Sequence, residues 1–140
     1  FNNVSIKEWQ EHLTKNLLYV TLALQCFENN LNRSQNPKVI TLGSQWSYKI
    51  GHNELVPYIV SKHALLTLTQ DYAARNSKIK SNHYCVPTMN TPQYRNVMNS
   101  FKKINKLYKK KEIANYETIA QKLVNLAMNT KQSGTRFIIN

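Results

Sequence analysis

Lys38-Val39-Ile40-Thr41-Leu42-Gly43-Ser44 leads, through a polar loop that ends at Pro57, into Tyr58-Ile59-Val60-Ser61-Lys62. The first run is short, apolar and rich in β-branched residues, which predicts a buried strand over 38–43. The second opens a helix that should reach about Asn76, with Ala64, Leu65, Leu68 and Tyr72 turned inward. On a helix, residues four apart lie one above the other, so Tyr58 and Lys62 share a face. An ammonium beside a phenol favours the phenolate, which lowers a tyrosine pKa from its usual value of about 10. Such a pair can act as a general acid and base. Of the eight tyrosines, Tyr58 alone has a lysine at the fourth position after it. The spacing is weak evidence taken alone. Its position gives it weight, because catalytic groups of open α/β sheets gather at the carboxyl ends of the strands.

Before the strand, apolar residues recur at Trp9, Leu13, Leu17, Val20, Leu24, Phe27 and Leu31, which predicts a long helix over 6–31 with one buried face. After the second helix, 79–86 reads as another strand. Residues 88–111 are polar, proline-bearing and lysine-rich, and read as a flap with one or two short helices. Asn115 then caps a helix whose inner face is expected to hold Ile119, Leu123, Val124 and Ala127. Ser133-Gly134 turns into a last strand over 135–139. Helix, strand, helix, strand, flap, helix, strand is the order of a parallel sheet joined by right-handed crossovers.

With 140 residues and 41% hydrophobic content, the chain has material for one domain and a real core. No apolar run reaches the roughly 18 residues a membrane span needs, and no secretory signal opens the chain, so a cytoplasmic protein without membrane contact is expected. Cys26 and Cys85 have neither CxxC spacing nor histidines at ligand spacing, and read as buried thiols in a reducing compartment, with no metal site. His12, His52, His63 and His83 read as structural or surface residues. The net charge of +12 admits nucleic acid, an anionic membrane surface or an acidic ligand, and does not choose among them. Much of it lies in the run from Lys102 to Lys111, where Phe101 and Tyr108 are thin support for base stacking.

Taken together, these residues resemble the short-chain dehydrogenase/reductase family, in the second half of its single Rossmann-like domain. Trp9 and Asn16 look like the family's tryptophan and helix asparagine seven residues apart, and Tyr58 to Lys62 matches its Tyr-x-x-x-Lys signature. Ser44, after the strand, stands where the family's active-site serine is delivered. Pro87 and Thr91 match the Pro-Gly-x-x-x-Thr motif, and Gly134 with the last strand resembles the closing Thr-Gly turn. The resemblance implies a three-layer, doubly wound parallel sheet and reversible hydride transfer between NAD or NADP and a carbonyl or alcohol. Tyr58 would be the acid/base and Ser44 would hydrogen-bond the substrate oxygen. Lys62 would tune Tyr58 and hold the nicotinamide ribose, Asn16 would hold a relay water, and Pro87 and Thr91 would border the nicotinamide. A dimer or tetramer and a small substrate, anionic if the basic flap meets it, also follow from the resemblance.

Some positions depart from the family pattern. Ser44 and Tyr58 are one residue further apart than is commonest, which leaves Ser47 as the reserve serine, and Thr88 replaces the glycine after Pro87. Gly43, Gly51 and Gly134 are the only glycines, so no glycine-rich phosphate-binding turn is present. The expectation is therefore the catalytic C-terminal part of a domain whose dinucleotide-binding half is missing from these residues, inactive when alone. Two other classes stand beside it: a catalytically silent relative kept for assembly, and a basic binding module.

Overall fold

The computed structural model describes residues 4–45, 55–92, 94–95 and 113–140. Ser47, most of the flap and the basic run lie outside the described residues. Helix α1 (Ile6–Leu13) passes through a π-helical segment (Thr14–Leu18) into α2 (Tyr19–Arg33). Strand β1 (Lys38–Ser44), helix α3 (Val56–Arg75), strand β2 (Lys80–Val86), helix α4 (Tyr116–Asn129) and strand β3 (Arg136–Ile138) follow.

Local signals explain most of the ends. Ser5 and Glu8 form a reciprocal capping box: the Ser5 hydroxyl accepts from the Glu8 N–H, and the Glu8 carboxylate accepts from the Ser5 N–H. Asn115 caps α4 as expected, its Oδ1 accepting from the N–H groups of Glu117 and Thr118 at 2.8 and 3.1 Å. Pro57 sits in the first turn of α3, where its missing N–H costs nothing. Gly134 enters β3 with φ of 70°, a conformation that favours glycine, and its N–H donates to Ser81 O at 2.8 Å.

The sheet is parallel, in the order β1-β2-β3. Its register runs from Lys38 opposite Lys80 to Ser44 opposite Val86, and His83 to Cys85 lie opposite Arg136 to Ile138. Alternation along β2 sends Ser81, His83 and Cys85 to one face and Asn82, Tyr84 and Val86 to the other. The first set meets α3, since Ser81 Oγ donates to Thr69 O. The second meets α4, since Tyr84 packs with Ile119, Ala127 and Ile139. Both crossovers step the same way across the sheet yet lie on opposite faces, so they have opposite hands. Right-handed connection throughout is therefore not what forms. A short flap strand pairing (Met89 with Ala114) and the extensive apolar packing under α4 accompany the exception.

Three further expectations need correction. Val124 is 50% exposed: the inner face of α4 is carried by Ile119, Leu123, Leu126 and Ala127, which places Val124 on the far side. Phe27 is 61% exposed and no residue of α1 or α2 is fully buried: α1 and the π-helical segment lie against α3, while α2 runs on with little packed against it. Cys26, on α2, is exposed for the same reason, and only Cys85 is buried. The buried stripe of α3 is Pro57, Ser61, Leu65 and Thr69, so two hydroxyls lie where apolar side chains are the usual choice. Among the described residues, no helix is long and apolar enough to cross a membrane, and no cluster of side chains suits a metal ion.

Candidate active site

The carboxyl ends of β1 and β2, the first turns of α3 and the π-helical segment bring the singled-out residues to one end of the sheet. Ser44 closes β1 and is 6% exposed. Its side chain hydrogen-bonds the Tyr58 phenol, so the extra residue in the loop does not separate them. Tyr58 lies one turn before Lys62, whose Nζ is 5.8 Å from the centre of the Tyr58 ring, within cation–π reach. Lys62 Nζ donates to Leu42 O at 2.9 Å. That bond ties the start of α3 to β1.

The electrostatics differ from the expectation. Burial pushes the Tyr58 phenol above its ordinary value, and the Ser44 hydrogen bond offsets only part of this. Burial likewise lowers the Lys62 ammonium. Burial governs both groups, and no effect of the Lys62 charge offsets it at the phenol. Tyr58 is therefore a neutral O–H at neutral pH, held in a hydrogen bond and able to donate.

Asn16 lies at the centre of the π-helical segment, half-buried, on a stretch that packs against α3. Single π turns inside helices frequently mark functional positions. No hydrogen bond among the described residues ties the Asn16 side chain to Tyr58 or Lys62. Pro87 and Thr91 follow directly after β2, whose last residue lies opposite Ser44. The Thr91 hydroxyl accepts from the Tyr94 N–H at 3.2 Å and its carbonyl from the Arg95 N–H at 3.0 Å, which starts a helical turn. Thr88 replaces glycine without strain, since no described residue other than glycine has a positive φ.

Two histidines join the site without having been singled out for it. His12 meets the Tyr58 ring edge-on, with centroids 5.9 Å apart and planes at 72°. Its position four residues before Asn16 on the same helix was the available signal. His83 is 1% exposed beneath Gly43, and its imidazole is driven down to about 4, first by burial and then by the charge of Lys62. Only the alternation of β2 pointed toward it.

The residues fit one end of a nicotinamide cofactor. Lys62 has a single described acceptor, Leu42 O, so two of its three N–H donors can meet ribose hydroxyls, and Ser44, Tyr58 and Pro87 lie around the same strand ends. A seat for the pyrophosphate is not offered by a sequence with only three glycines.

Comparison with solved structures defines the fold as that of the short-chain dehydrogenases and oxidoreductases. Aldohexose dehydrogenase of Thermoplasma acidophilum superposes with a TM-score of 0.81 at 23% identity, covering 99% of this chain and 60% of that one. A short chain dehydrogenase family protein of Francisella tularensis gives 0.80 at 23% identity, covering 98% and 62%. RhlG of Pseudomonas aeruginosa, in an active-site complex with NADP, gives 0.80 at 19% identity, covering 99% and 58%. This chain thus spans about three fifths of the length of the structures it matches. No protein-family model matches it. No curated protein matches it either.

Proposed function

We propose that this chain is the catalytic part of a short-chain-type oxidoreductase that uses NAD or NADP to interconvert a carbonyl and an alcohol. The observation that carries the reading is the hydrogen-bonded Ser44 and Tyr58 pair with Lys62 one turn on, at the carboxyl end of a parallel sheet. When bound, the nicotinamide supplies or receives the hydride. The chain's own residues supply position and a proton.

In reduction, the substrate oxygen accepts hydrogen bonds from Ser44 Oγ and Tyr58 Oη, and the Tyr58 proton passes to that oxygen as negative charge develops on it. The raised phenol suits this direction, because Tyr58 enters the step protonated. Lys62 lies near enough to stabilise the phenolate left behind, and its remaining donors hold ribose hydroxyls. Asn16, at the π-helical segment, is the residue proposed to seat a water that returns the proton. Pro87 and Thr91 border the nicotinamide ring. A lysine-rich segment outside the described residues supports a carboxylated or phosphorylated substrate as the class to test after the segment's plain reading as a solvated face.

The natural polypeptide that carries these residues is the material for the test. NADH and NADPH binding is followed by fluorescence, and carbonyl reduction is assayed on a small panel, with Tyr58→Phe and Lys62→Ala beside the parent. Tyr58→Phe is expected to bind nucleotide normally and lose about 10²- to 10⁴-fold in kcat. Lys62→Ala is expected to lose both binding and turnover. Absence of binding to the parent by either nucleotide would sink the enzymatic reading.

A further inference from the structure

The face of the sheet under α3 contains a chain of polar groups that the proposed reaction does not use. Thr69 Oγ1 donates to Leu65 O at 2.7 Å, and a hydroxyl has one proton to give. The 2.7 Å contact between Thr69 Oγ1 and Thr41 Oγ1 must then carry the proton of Thr41. Thr41 Oγ1 is left to accept, and its remaining short contact is His83 Nδ1 at 2.9 Å. His83 therefore carries its proton on Nδ1. The opposite tautomer would turn the Thr41 proton to Nδ1 and leave one of the two 2.7 Å contacts of Thr69 Oγ1, to Thr41 Oγ1 or to Leu65 O, with no proton between the oxygens, in a buried place where an unmade hydrogen bond is costly.

The other side of the imidazole lies against Gly43. A Cβ on Gly43 would come within 2.1 Å of His83 Nε2 and 2.9 Å of Cys85 Sγ. No residue but glycine allows the strand to pass this close without a shift. The carbonyl of the Leu42–Gly43 peptide is the acceptor that anchors Lys62 Nζ. The charged or titratable groups that act on His83 or lie against it are Lys62 and His63 from α3, Arg136 from β3 and Cys85 from its own strand.

We propose that His83 is a positioning residue for Lys62: clamped by Thr41 in its Nδ1–H tautomer, the ring fills the space over Gly43 and fixes the peptide whose carbonyl holds the ammonium. The proposal rests on the reading of Lys62 as the working partner of Tyr58. Its geometry does not depend on turnover.

NMR of the ¹⁵N-histidine, ¹³C-lysine chain tests it. At neutral pH the His83 ring is expected to show a protonated Nδ1 and a bare Nε2. In His83→Ala, the Lys62 Cε titration midpoint is expected to rise by about half a pH unit or more as water enters, while Lys122 Cε stays where it was. Thr41→Val keeps the ring but removes its clamp, and should move Lys62 the same way if His83→Ala does not fold. A merely structural histidine would lower the melting temperature and leave Lys62 unmoved. That result, or a proton on Nε2 in the parent, overturns the proposal. A natural polypeptide carrying these residues that binds no nicotinamide nucleotide, beside a chain that shows the expected signals, refutes the enzymatic reading and leaves the positioning intact.

Discussion

On the α4 face of the sheet, Tyr84, Ile119, Ala127 and Ile139 pack carbon against carbon, with Phe137 stacked on Tyr84 at 5.0 Å between ring centres. On the α3 face, the layer in the same place is Thr41, Ser61, Thr69, Ser81 and His83, joined largely by hydrogen bonds. The apolar face contributes stability in proportion to the area it removes from water, with little demand on direction. A buried hydrogen bond adds only about 1 kcal/mol net, but it fails if its partners move. The polar layer is the one that carries Tyr58 and Lys62 on its helix. Stability comes mainly from one side of the sheet, and precision from the other.

The heaviest way to break this division is Tyr84→Ala, which opens a cavity under α4. A loss of about 3 to 5 kcal/mol is expected in denaturant unfolding, with the Lys62 titration of the surviving folded state unchanged. A coupled movement of Lys62 would show that the two faces are not independent.

The polar face should instead reveal itself in acid. His83 has a folded pKa of about 4 against an ordinary value of 6.5. Between those values the unfolded chain binds the proton more readily, so stability rises with pH there. The contribution is complete above pH 6.5 and is lost as pH falls toward 4. Its size is on the order of 2 kcal/mol, below the full linkage value because water near the strand ends screens the charge. Urea midpoints measured across this window should fall in the parent and stay nearly flat in His83→Asn. A parent with a flat profile would mean that the imidazole is not buried neutral.

The smallest effect belongs to the outer side of α4. Val124→Lys should change stability by less than about 0.5 kcal/mol in thermal unfolding, since the side chain is half exposed. A larger loss would place Val124 in a contact and restore it to the inner face.

The two faces also differ in how well the amino-acid order reveals them. Strand and helix identities, the Asn115 cap and the Gly134 turn could be read because apolar spacing and capping chemistry are local. Ser44, Tyr58 and Lys62 could be brought together because a strand end and one helical turn suffice to place them. Thr41, Thr69 and His83 come from three elements and follow no apolar pattern, so nothing local announces that they meet. Val124 is not legible in the sequence because apolar residues at 123 and 124 allow two helix faces, and only the packed sheet chooses between them. The pKa of Tyr58 went the other way because spacing reveals the nearby charge but not the depth of burial.

The π-helical segment at Thr14–Leu18 accommodates one residue more than a regular α-helix needs. A wide turn of this kind absorbs the extra residue locally, so α1 and α2 keep nearly the phase they would have on one regular helix. Deleting Lys15 alone would let the segment relax to α-helix, leave His12 against the Tyr58 ring and draw Asn16 back into a regular ladder. The segment is a local blister on an otherwise continuous rod: the additional residue changes how Asn16 is presented and leaves the aim of the helices on either side unchanged.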